Sequence, residues 1–422
     1  MARKKQSEKN KETPVPDEID IGAEIGLTQF QDERYSSVQN KLPTKIPHLD
    51  YILGGGLPFG RMVEILGLNS SGKSGYAVHL TKIAQELKVP VVWIDVEGTS
   101  ESGRMKQLGV DPSPGNGVWF VQPETKKDKE TGAEFSEEMN IERVADELKR
   151  LTEAFQKNKQ PLVIIWDSVS QTPASKEIER GVGDSMPGIQ AKALTQFSKI
   201  VAPMITDSQT LFIAINQARD DMGSMFGGID SAGGNAFKHW ASLRLEVKKA
   251  SQIKDKTMNA FGREEESYIG HIMRFKSVKS KISRPQQQAE AYFMADSGLD
   301  FEENVYRSAL ASNKQYGLIS GGTWRKYIAL DGAEIKFNSN RKWVDYLKSE
   351  EGHSTLVELF GRMMATSFPN GYSPFSNKDV DITKIPLYNE IGEDYMNKFS
   401  PDKAQAPKEE KQPEVDDLLD EV

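Results

Sequence analysis

A chain of 422 residues with 37% hydrophobic and 27% charged residues has the composition of a globular protein, and none of its apolar runs approaches the roughly 20 residues that a membrane span needs. The lack of cysteine excludes disulfides, thiolate zinc sites and cysteine nucleophiles, and with the missing secretory signal it predicts a cytoplasmic protein. A net charge of −8 argues against nucleic-acid binding by composition alone, but acidic residues concentrate after Lys408, so a basic groove elsewhere is compatible with it.

The order of apolar strands and helical patterns predicts an α/β protein with a mostly parallel central sheet flanked by helices. Residues 1 to about 18 are polar and are expected to be disordered, and residues 19–38 form a short amphipathic stretch. Strands are predicted at 62–66, 91–95, 118–121, 162–167 and 210–216, with an antiparallel hairpin at 243–247 and 271–278.

The composition changes from about Glu302, where aromatic residues become frequent in a mixed helical pattern, and this change predicts a small α+β C-terminal domain. A tail rich in proline, lysine and acidic residues follows it. The predicted division is an N-terminal arm at 1–40, an α/β core at 41–300, a C-terminal domain at 301–400 and a disordered acidic tail at 401–422.

A phosphate-binding motif follows the first strand of the predicted core. Residues 67–74 read GLNSSGKS and match G-x-x-x-x-G-K-[ST] between a strand and a helix. Glycines let consecutive backbone N–H groups curl around phosphate oxygens, and the helix N-terminus adds its positive end. The lysine reaches the β- and γ-phosphates, and the last hydroxyl holds Mg²⁺. The ATP-binding residues predicted in this loop are Gly67, Asn69, Ser70, Ser71, Gly72, Lys73 and Ser74, of which Ser74 is also a metal ligand.

Two carboxylates follow other predicted strands. Asp167 ends the apolar run 162–167, and a carboxylate at the tip of a strand beside the phosphate strand is where a nucleotide site needs its Mg²⁺ partner. Such an aspartate is otherwise a turn or cap residue, but the upstream phosphate loop favours the metal role. Glu97 could activate an attacking water, although spacing alone leaves a surface acid or a helix cap equally open. To this point the residues indicate an NTPase and nothing narrower.

Four further segments surround these motifs in a recognisable order. They read LGGGLPFGR at 53–61, EIERGVGDS at 177–185, NQAR at 216–219 and GGNAFK at 233–238. With the phosphate loop, they resemble the bacterial RecA family and its viral relatives, well over residues 45–300 and more weakly over 302–365. The resemblance implies a P-loop NTPase fold with a RecA-type core. It also implies an ATP-dependent recombinase that forms helical filaments on single-stranded DNA and exchanges strands in the bacterial cytoplasm, with DNA-stimulated ATP hydrolysis.

The resemblance assigns roles around the triphosphate. Glu97 falls at the position of the family's catalytic glutamate, and Gln217 matches the glutamine that senses the γ-phosphate and relays its state to DNA binding. Lys279 and Lys281 match two lysines that reach the ATP of the neighbouring subunit, with Lys238 expected at the same interface. On a strand, alternate residues point the same way, so both ammoniums are expected near one triphosphate.

Some positions depart from the family pattern. Glu101 and Arg104 are implied to bind ATP, but Arg104 stands where relatives often carry a tyrosine that stacks on adenine. Residues 125–139 look like a polar insertion and are expected to form a solvated loop. The amphipathic segment near 19–35 is implied to dock on an adjacent subunit.

Two segments correspond to DNA-binding loops, at 177–188 and at 217–231. Glycine N–H groups can contact phosphates there, and a Met or Phe can wedge between bases, although packing against the core is the alternative for such apolar residues. Lys192 and Lys199 share one face of a predicted helix, which either binds the phosphate backbone or is simply solvated. The implied DNA-binding residues are Arg180, Gly181, Asp184, Ser185, Met186, Gly188, Lys192, Thr195, Lys199, Arg219, Met222, Phe226, Gly233, Gly234 and Asn235.

Two other functions use the same core. A ring-forming helicase or motor would share the phosphate loop and the lysines supplied by a neighbour, but it has no reason to carry the segments at 177–185 and 233–238. A regulatory ATPase without strand exchange stays open because the DNA loops depart from the family, as at Pro187. The partners expected of a recombinase are single- and double-stranded DNA, further copies in a filament, a single-strand binding protein and a loading mediator, with no membrane.

Overall fold

The structure is a computed structural model, and it describes residues 40–98, 100–121, 125–127, 134–136, 139–158, 160–180, 188–221, 228–231, 235–258, 261–312, 315–321, 324–368, 387–392 and 395–399. All of these belong to one of two compact units, Val38–Val422. The other unit, Met1–Ser37, lies outside the described residues, and with it the predicted N-terminal arm and its docking segment. None of the helices in the described part of the chain combines the length and apolarity that a bilayer crossing requires.

Short apolar runs between turn residues form the strands, as their β-branched and aromatic content favours. The strands are β1 Lys41–Leu42, β2 Leu57–Pro58, β3 Met62–Gly67, β4 Val91–Asp95, β5 Val118–Val121, β6 Thr125–Lys127, β7 Glu134–Ser136, β8 Leu162–Asp167, β9 Thr210–Asp221, β10 Gly228–Ser231, β11 Leu243–Met258, β12 Glu264–Ser280, β13 Gln288–Met294, β14 Gly298–Leu299, β15 Leu318–Gly321, β16 Trp324–Ile328 and β17 Glu334–Phe337.

Helices connect most of the strands of the sheet and cover its faces. They are α1 Pro47–Ile52, α2 Lys73–Glu86, α3 Ser102–Gln107, α4 Ile141–Lys157, α5 Ser175–Arg180, α6 Ile189–Asp207, α7 Asn235–Trp240, α8 Phe301–Ala311, α9 Asn340–Leu347, α10 His353–Ser367, α11 Tyr388–Ile391 and α12 Tyr395–Phe399, with a 3₁₀ turn at Val169–Gln171.

A ten-stranded sheet forms the centre of the protein, in the order β14-β13-β12-β11-β3-β9-β8-β4-β5, with β10 paired to β9. The six strands from β11 to β5 in this order run parallel, and β12 is antiparallel to β11. Parallel strands end on the same side of a sheet, so the residues that follow β3, β4, β8 and β9 lie at one edge. This edge is named here the carboxyl edge. The edge where these strands begin is named the amino edge.

Alternating side chains of the sheet pack on its two faces. On one face, Ile213 of β9 lies in a core cluster with Tyr76 and Leu80 of α2. On the other, Phe212 lies in a second cluster with Leu148 of α4 and Phe197 of α6. Apolar burial on both faces explains why the central strands are continuous hydrophobic runs, which is the pattern that parallel sheets require. The sheet is therefore the α/β core that the sequence predicts.

The region after β14 contains α8, a three-stranded antiparallel sheet of β15–β17, and helices α9 and α10. Trp343 is fully buried there, stacked on Tyr306 at 5.9 Å between ring centroids and edge-on to Phe337 at 5.1 Å. These aromatic residues explain the change of composition near Glu302. The division of the chain into domains stays a prediction.

The five predicted strands of the parallel sheet and the antiparallel pairing of 243–247 with 271–278 are confirmed. Three elements differ. β9 continues to Asp221, and the β11–β12 hairpin extends to Met258 and Glu264 as a two-stranded ribbon. Residues 125–127 and 134–136 pair as a short hairpin, so these residues form strands and not the expected loop. The outer residues of the β11–β12 ribbon are mostly polar and exposed, so they leave no apolar alternation to detect.

Candidate nucleotide-binding site

The phosphate loop connects the buried strand β3 to α2 at the carboxyl edge. Gly67 has no room for a side chain, because a Cβ there would lie 2.3 Å from the carbonyl oxygen of Val247 and 2.7 Å from Ser71 Oγ. Gly72 adopts φ 97° as the N-cap of α2, a left-handed conformation that glycine adopts without strain. Asn69 and Ser70 are exposed at the tip. The loop thus presents backbone at the positive end of a fourteen-residue helix.

Lys73 is buried at the first position of α2. Its Nζ donates hydrogen bonds to the carbonyl oxygens of Gly67, at 3.0 Å, and Leu68, at 2.8 Å. Burial lowers the pKa of Lys73, while the charges of Asp167 and Glu97 oppose that change. The ammonium therefore bridges carbonyls at the start of the loop, and phosphate oxygens would be stronger acceptors for it.

Ser74 and Asp167 meet across the space between α2 and β8. Ser74 Oγ donates to Asp167 Oδ2 at 2.8 Å. Burial raises the pKa of Asp167 to about 6, the hydrogen bond from Ser74 opposes the rise, and Glu97 and Asp95 add to it. A hydroxyl and a carboxylate are oxygen ligands of the kind that Mg²⁺ prefers. The two side chains fit a metal ion bound beside the phosphate loop.

Glu97 lies next to this pair because β4 and β8 run in register, with Asp95 opposite Asp167. Ser168 Oγ donates to Glu97 Oε1 at 2.6 Å. Asp95 accepts hydrogen bonds from the backbone N–H groups of Gly98 and Ser100, at 2.9 and 2.8 Å, which fixes the turn that carries Glu97. The Glu97 side chain is exposed, so a water molecule has access to it.

Gln217 is half-buried on β9, directly opposite Gly67 of β3. The preceding residue, Asn216, is fully buried and donates from Nδ2 to Glu64 Oε1 at 2.9 Å. Glu64 also accepts from Arg244 Nε at 2.5 Å, so three adjacent strands share one buried polar network. β9 then continues for four residues beyond Gln217 and pairs with β10.

Arg104 lies on α3, and its guanidinium donates to the carbonyl oxygen of Ala295 at 2.8 Å and to Gln107 Oε1 at 2.7 Å. The bond to Ala295 ties α3 to the chain after β13. Glu101 is the exposed N-cap residue of α3. The structure thus places both predicted ATP-binding residues near the carboxyl edge, with Arg104 engaged by protein groups.

Lys279 and Lys281 lie away from the phosphate loop of their own chain. Lys279 pairs with Arg244, and its Nζ donates to the carbonyl oxygens of Lys238 and His239, at 2.6 and 2.8 Å, at the end of α7. Burial lowers the pKa of Lys279, and the neighbouring charge of Lys281 adds to this. These carbonyls precede β11, so the ammonium of Lys279 faces the amino edge.

A cavity of about 420 Å³ opens at the same amino edge. Its lining includes three cationic residues, Arg61, Lys199 and Lys281. The sequence alone assigned Lys199 to DNA and Lys281 to a neighbouring subunit, and the structure brings the two residues to one cavity. One acidic residue, Asp207, also lines it, so the cavity carries more positive than negative side chains and suits phosphate groups brought by another molecule.

One face of α6 exposes Lys192, Thr195 and Lys199, at the spacing that aligns side chains along a helix. Gly188 caps this helix with φ 95°. For three predicted DNA-binding residues the structure describes the backbone only: Arg180 ends α5, Arg219 lies in β9 and Asn235 begins α7. The others, Gly181, Asp184, Ser185, Met186, Met222, Phe226, Gly233 and Gly234, lie outside the described residues.

Two residues of the site carry no sequence signal of their own. Ser168 contacts Glu97 only because β4 and β8 pair. Its position directly after Asp167 is the one weak signal in the sequence that it lies near the site. His271 of β12 packs beside Gly72 of the phosphate loop, about 200 positions away in sequence. No motif links these two segments.

Comparison with known proteins agrees with this geometry. A family model described as the RecA N-terminal domain matches residues 22–300. The protein named Protein RecA from Symbiobacterium thermophilum is 29% identical over 345 residues, which span 81% of this chain and 88% of that relative. Because the family model covers well over half of the chain, the chain belongs to the RecA family.

Proposed function

We propose that this chain is a DNA-dependent ATPase that assembles head to tail on single-stranded DNA and pairs it with a homologous duplex. The observation that carries the proposal is the position of Gln217. It lies opposite the first glycine of the phosphate loop, on a strand that continues into a hairpin within the second predicted DNA loop, residues 217–231. A rigid strand that contacts both the phosphate loop and the second predicted DNA loop can couple nucleotide binding to DNA binding.

The carboxyl edge supports ATP hydrolysis. Lys73 and the loop N–H groups would hold the phosphates, and Ser74 with Asp167 would hold Mg²⁺, which neutralises phosphate charge when bound. Glu97 is oriented by Ser168 and is accessible, so it can accept the proton of an attacking water. ATP and Mg²⁺ are therefore the proposed cofactors.

The positions of the lysines support head-to-tail assembly. Lys279 and Lys281 face the amino edge, whereas the phosphate loop lies at the carboxyl edge of the same sheet. In one chain they are badly placed to contact its own triphosphate. In a second copy stacked on the carboxyl edge, the same lysines would face the first copy's nucleotide, as a cationic finger supplied by a neighbour.

The exposed stripe of Lys192, Thr195 and Lys199 on α6 supports contact with a DNA backbone. Cations and a hydroxyl bind phosphates without reading sequence, which leaves the base edges free to pair with another strand. Recognition of homology would then reside in base pairing.

The test is joint-molecule formation between a single strand and supercoiled duplex, with ATP and Mg²⁺. The expected result is a product with homologous duplex, none with heterologous duplex, and none with the Lys73→Ala variant. Directional unwinding of a forked duplex without a homology-dependent product would contradict the proposal in favour of a motor. ATP hydrolysis with neither activity would favour a regulatory ATPase.

A further inference from the structure

His271 forms part of the wall of the phosphate loop. Its side chain is 6% exposed, and its Nε2 lies 3.5 Å from the position that a Cβ on Gly72 would take. The imidazole packs on the ring of Phe293 at 5.2 Å, and that ring in turn covers Gly75. Because β12 and β13 lie beyond β11, on the side of β3 opposite β8 and β4, these two side chains face the loop from the side away from Asp167.

The hydrogen bonds of His271 are incomplete in the described part of the structure. Tyr268 Oη lies 2.8 Å from Nδ1, whereas Nε2 is buried and has no partner among the described residues. Burial lowers the pKa of His271, and the charge of Lys249 adds to this, which favours the neutral form of the ring. A neutral imidazole carries one N–H and one lone pair. In the tautomer that has its N–H on Nε2, Nδ1 accepts from the Tyr268 hydroxyl and the N–H lies against the phosphate loop.

A buried donor without an acceptor is unfavourable, and native proteins leave few such groups without a ligand, ion or water that completes them. The metal side of the loop is already occupied by Lys73, Ser74 and Asp167. A triphosphate with its terminal phosphate on that side would direct its nucleoside end towards β12 and β13. An oxygen acceptor would then arrive on the side of the loop where His271 lies.

We propose that His271 is a further nucleotide-binding residue, whose Nε2–H donates a hydrogen bond to the phosphate nearest the nucleoside. This inference rests on the proposed nucleotide binding. It differs from a packing role in one respect: an apolar side chain of similar size would fill the same space but could not replace the donor.

The experiment measures the dissociation constant of ADP for the full chain by displacement of a fluorescent ADP analogue. His271→Leu should weaken ADP binding about tenfold, which corresponds to about 1.4 kcal/mol. His271→Gln keeps a donor at a similar reach and should stay within about threefold of the unsubstituted chain. The matched control is His353→Leu on α10, an exposed histidine paired with Glu390, which should leave ADP binding unchanged.

Two results would overturn the inference while leaving nucleotide binding intact. His271→Leu could bind ADP as tightly as the unsubstituted chain, or both His271 variants could weaken binding equally with lowered melting temperatures, as expected of packing alone. His271→Leu should also weaken the binding of 2′-deoxy-ADP and of 3′-deoxy-ADP about tenfold. If the substitution has no effect on the binding of either deoxy form, His271 contacts the sugar, which contradicts the phosphate assignment. An unsubstituted chain that binds no ADP would instead defeat the proposed function itself.

Discussion

Ser168 Oγ donates a 2.6 Å hydrogen bond to Glu97 Oε1, joining the residue after β8 to the turn after β4. Hydrogen bonds to a carboxylate are stronger than neutral ones, so this contact fixes the orientation of Glu97. The hydrogen bonds that the structure gives Ser168 Oγ are to Glu97 and Ser170, whereas Ser74 and Asp167 bond each other. Ser168 is therefore best described as a positioning residue for the proposed general base.

The first prediction concerns this pair. Glu97→Gln should lower kcat for ATP by about 100-fold or more, because the proton acceptor is lost. Ser168→Ala should lower kcat about tenfold, because Glu97 loses an orienting bond. Steady-state hydrolysis with DNA present checks both, and the KM for ATP should change little. In a Glu97→Gln background, Ser168→Ala should have almost no further effect; a full additional loss would contradict the positioning role.

The second prediction concerns Gly67. Gly67→Ala should reduce ATP hydrolysis by roughly 100-fold, because a Cβ within 2.3 Å of the Val247 carbonyl must displace the phosphate loop. The same variant should bind ADP weakly in the displacement assay. Gly321→Ala is the control, since nothing lies within 4 Å of its Cβ position. Equal behaviour of the two variants would show that the approach to Val247 does not constrain the loop.

A third prediction tests the lysines at the amino edge. Replacing both Lys279 and Lys281 by Ala should abolish DNA-stimulated hydrolysis but leave single-strand binding measurable, because the phosphate loop of each chain stays intact. Mixing this variant with Lys73→Ala provides the sharper test. The Lys73→Ala copy supplies the intact lysines, and the double variant supplies the intact phosphate loop. Sites formed between the two are complete, so the mixture should regain hydrolysis that neither variant has alone. Normal hydrolysis by the double variant would remove the proposed role of the lysines.

The buried network around Glu64 provides a fourth prediction. Glu64 is fully buried and accepts from both Asn216 and Arg244, so Glu64→Gln withdraws the carboxylate that neutralises a buried guanidinium. The free energy of unfolding should fall by about 3 kcal/mol. Glu334→Gln removes exposed pairs with Lys326 and Lys336 and should lower the free energy of unfolding far less, because solvent screens exposed charges. Urea denaturation compares the two, and equal losses would contradict the difference in burial.

A fifth prediction follows from Asp50 of α1. Burial raises the pKa of Asp50 to about 7, and hydrogen bonds from Thr44 oppose the rise. Because the folded pKa lies above the unfolded value of 3.8, the folded state holds this proton more tightly, and the contribution of Asp50 to stability falls as pH rises from about 4 to about 7. Asp50→Asn removes this dependence while keeping an oxygen that can accept from Thr44.

The measurement for Asp50 is urea unfolding at about pH 5 and about pH 7.5. Relative to the unsubstituted chain, Asp50→Asn should gain up to about 2 kcal/mol between these values. The control is Asp345→Asn, whose side chain is 68% exposed and should show no such gain. A constant difference between Asp50→Asn and the unsubstituted chain at both pH values would contradict the predicted titration.

The sequence predicts well the motifs that lie within one segment and the strands that are buried on both faces of the sheet. The strand before the phosphate loop and the run ending at Asp167 are continuous apolar segments bounded by turns, so their positions could be read directly. The contacts between Ser168 and Glu97 and between His271 and Gly72 depend on which strands become neighbours, and no local pattern encodes that order. The outer part of the long β11–β12 ribbon is polar and mostly exposed, so its pattern does not indicate how far the two strands extend.

The separation of the lysine pair from the phosphate loop has a consequence for short assemblies. If each site needs lysines from the next copy, a row of copies always ends with one phosphate loop that nothing completes. Turnover per chain would then rise with the length of the row, steeply for dimers and trimers and hardly at all for long rows. An assembly cut into fragments would lose activity in proportion to the number of new ends, although every chain in it remained folded.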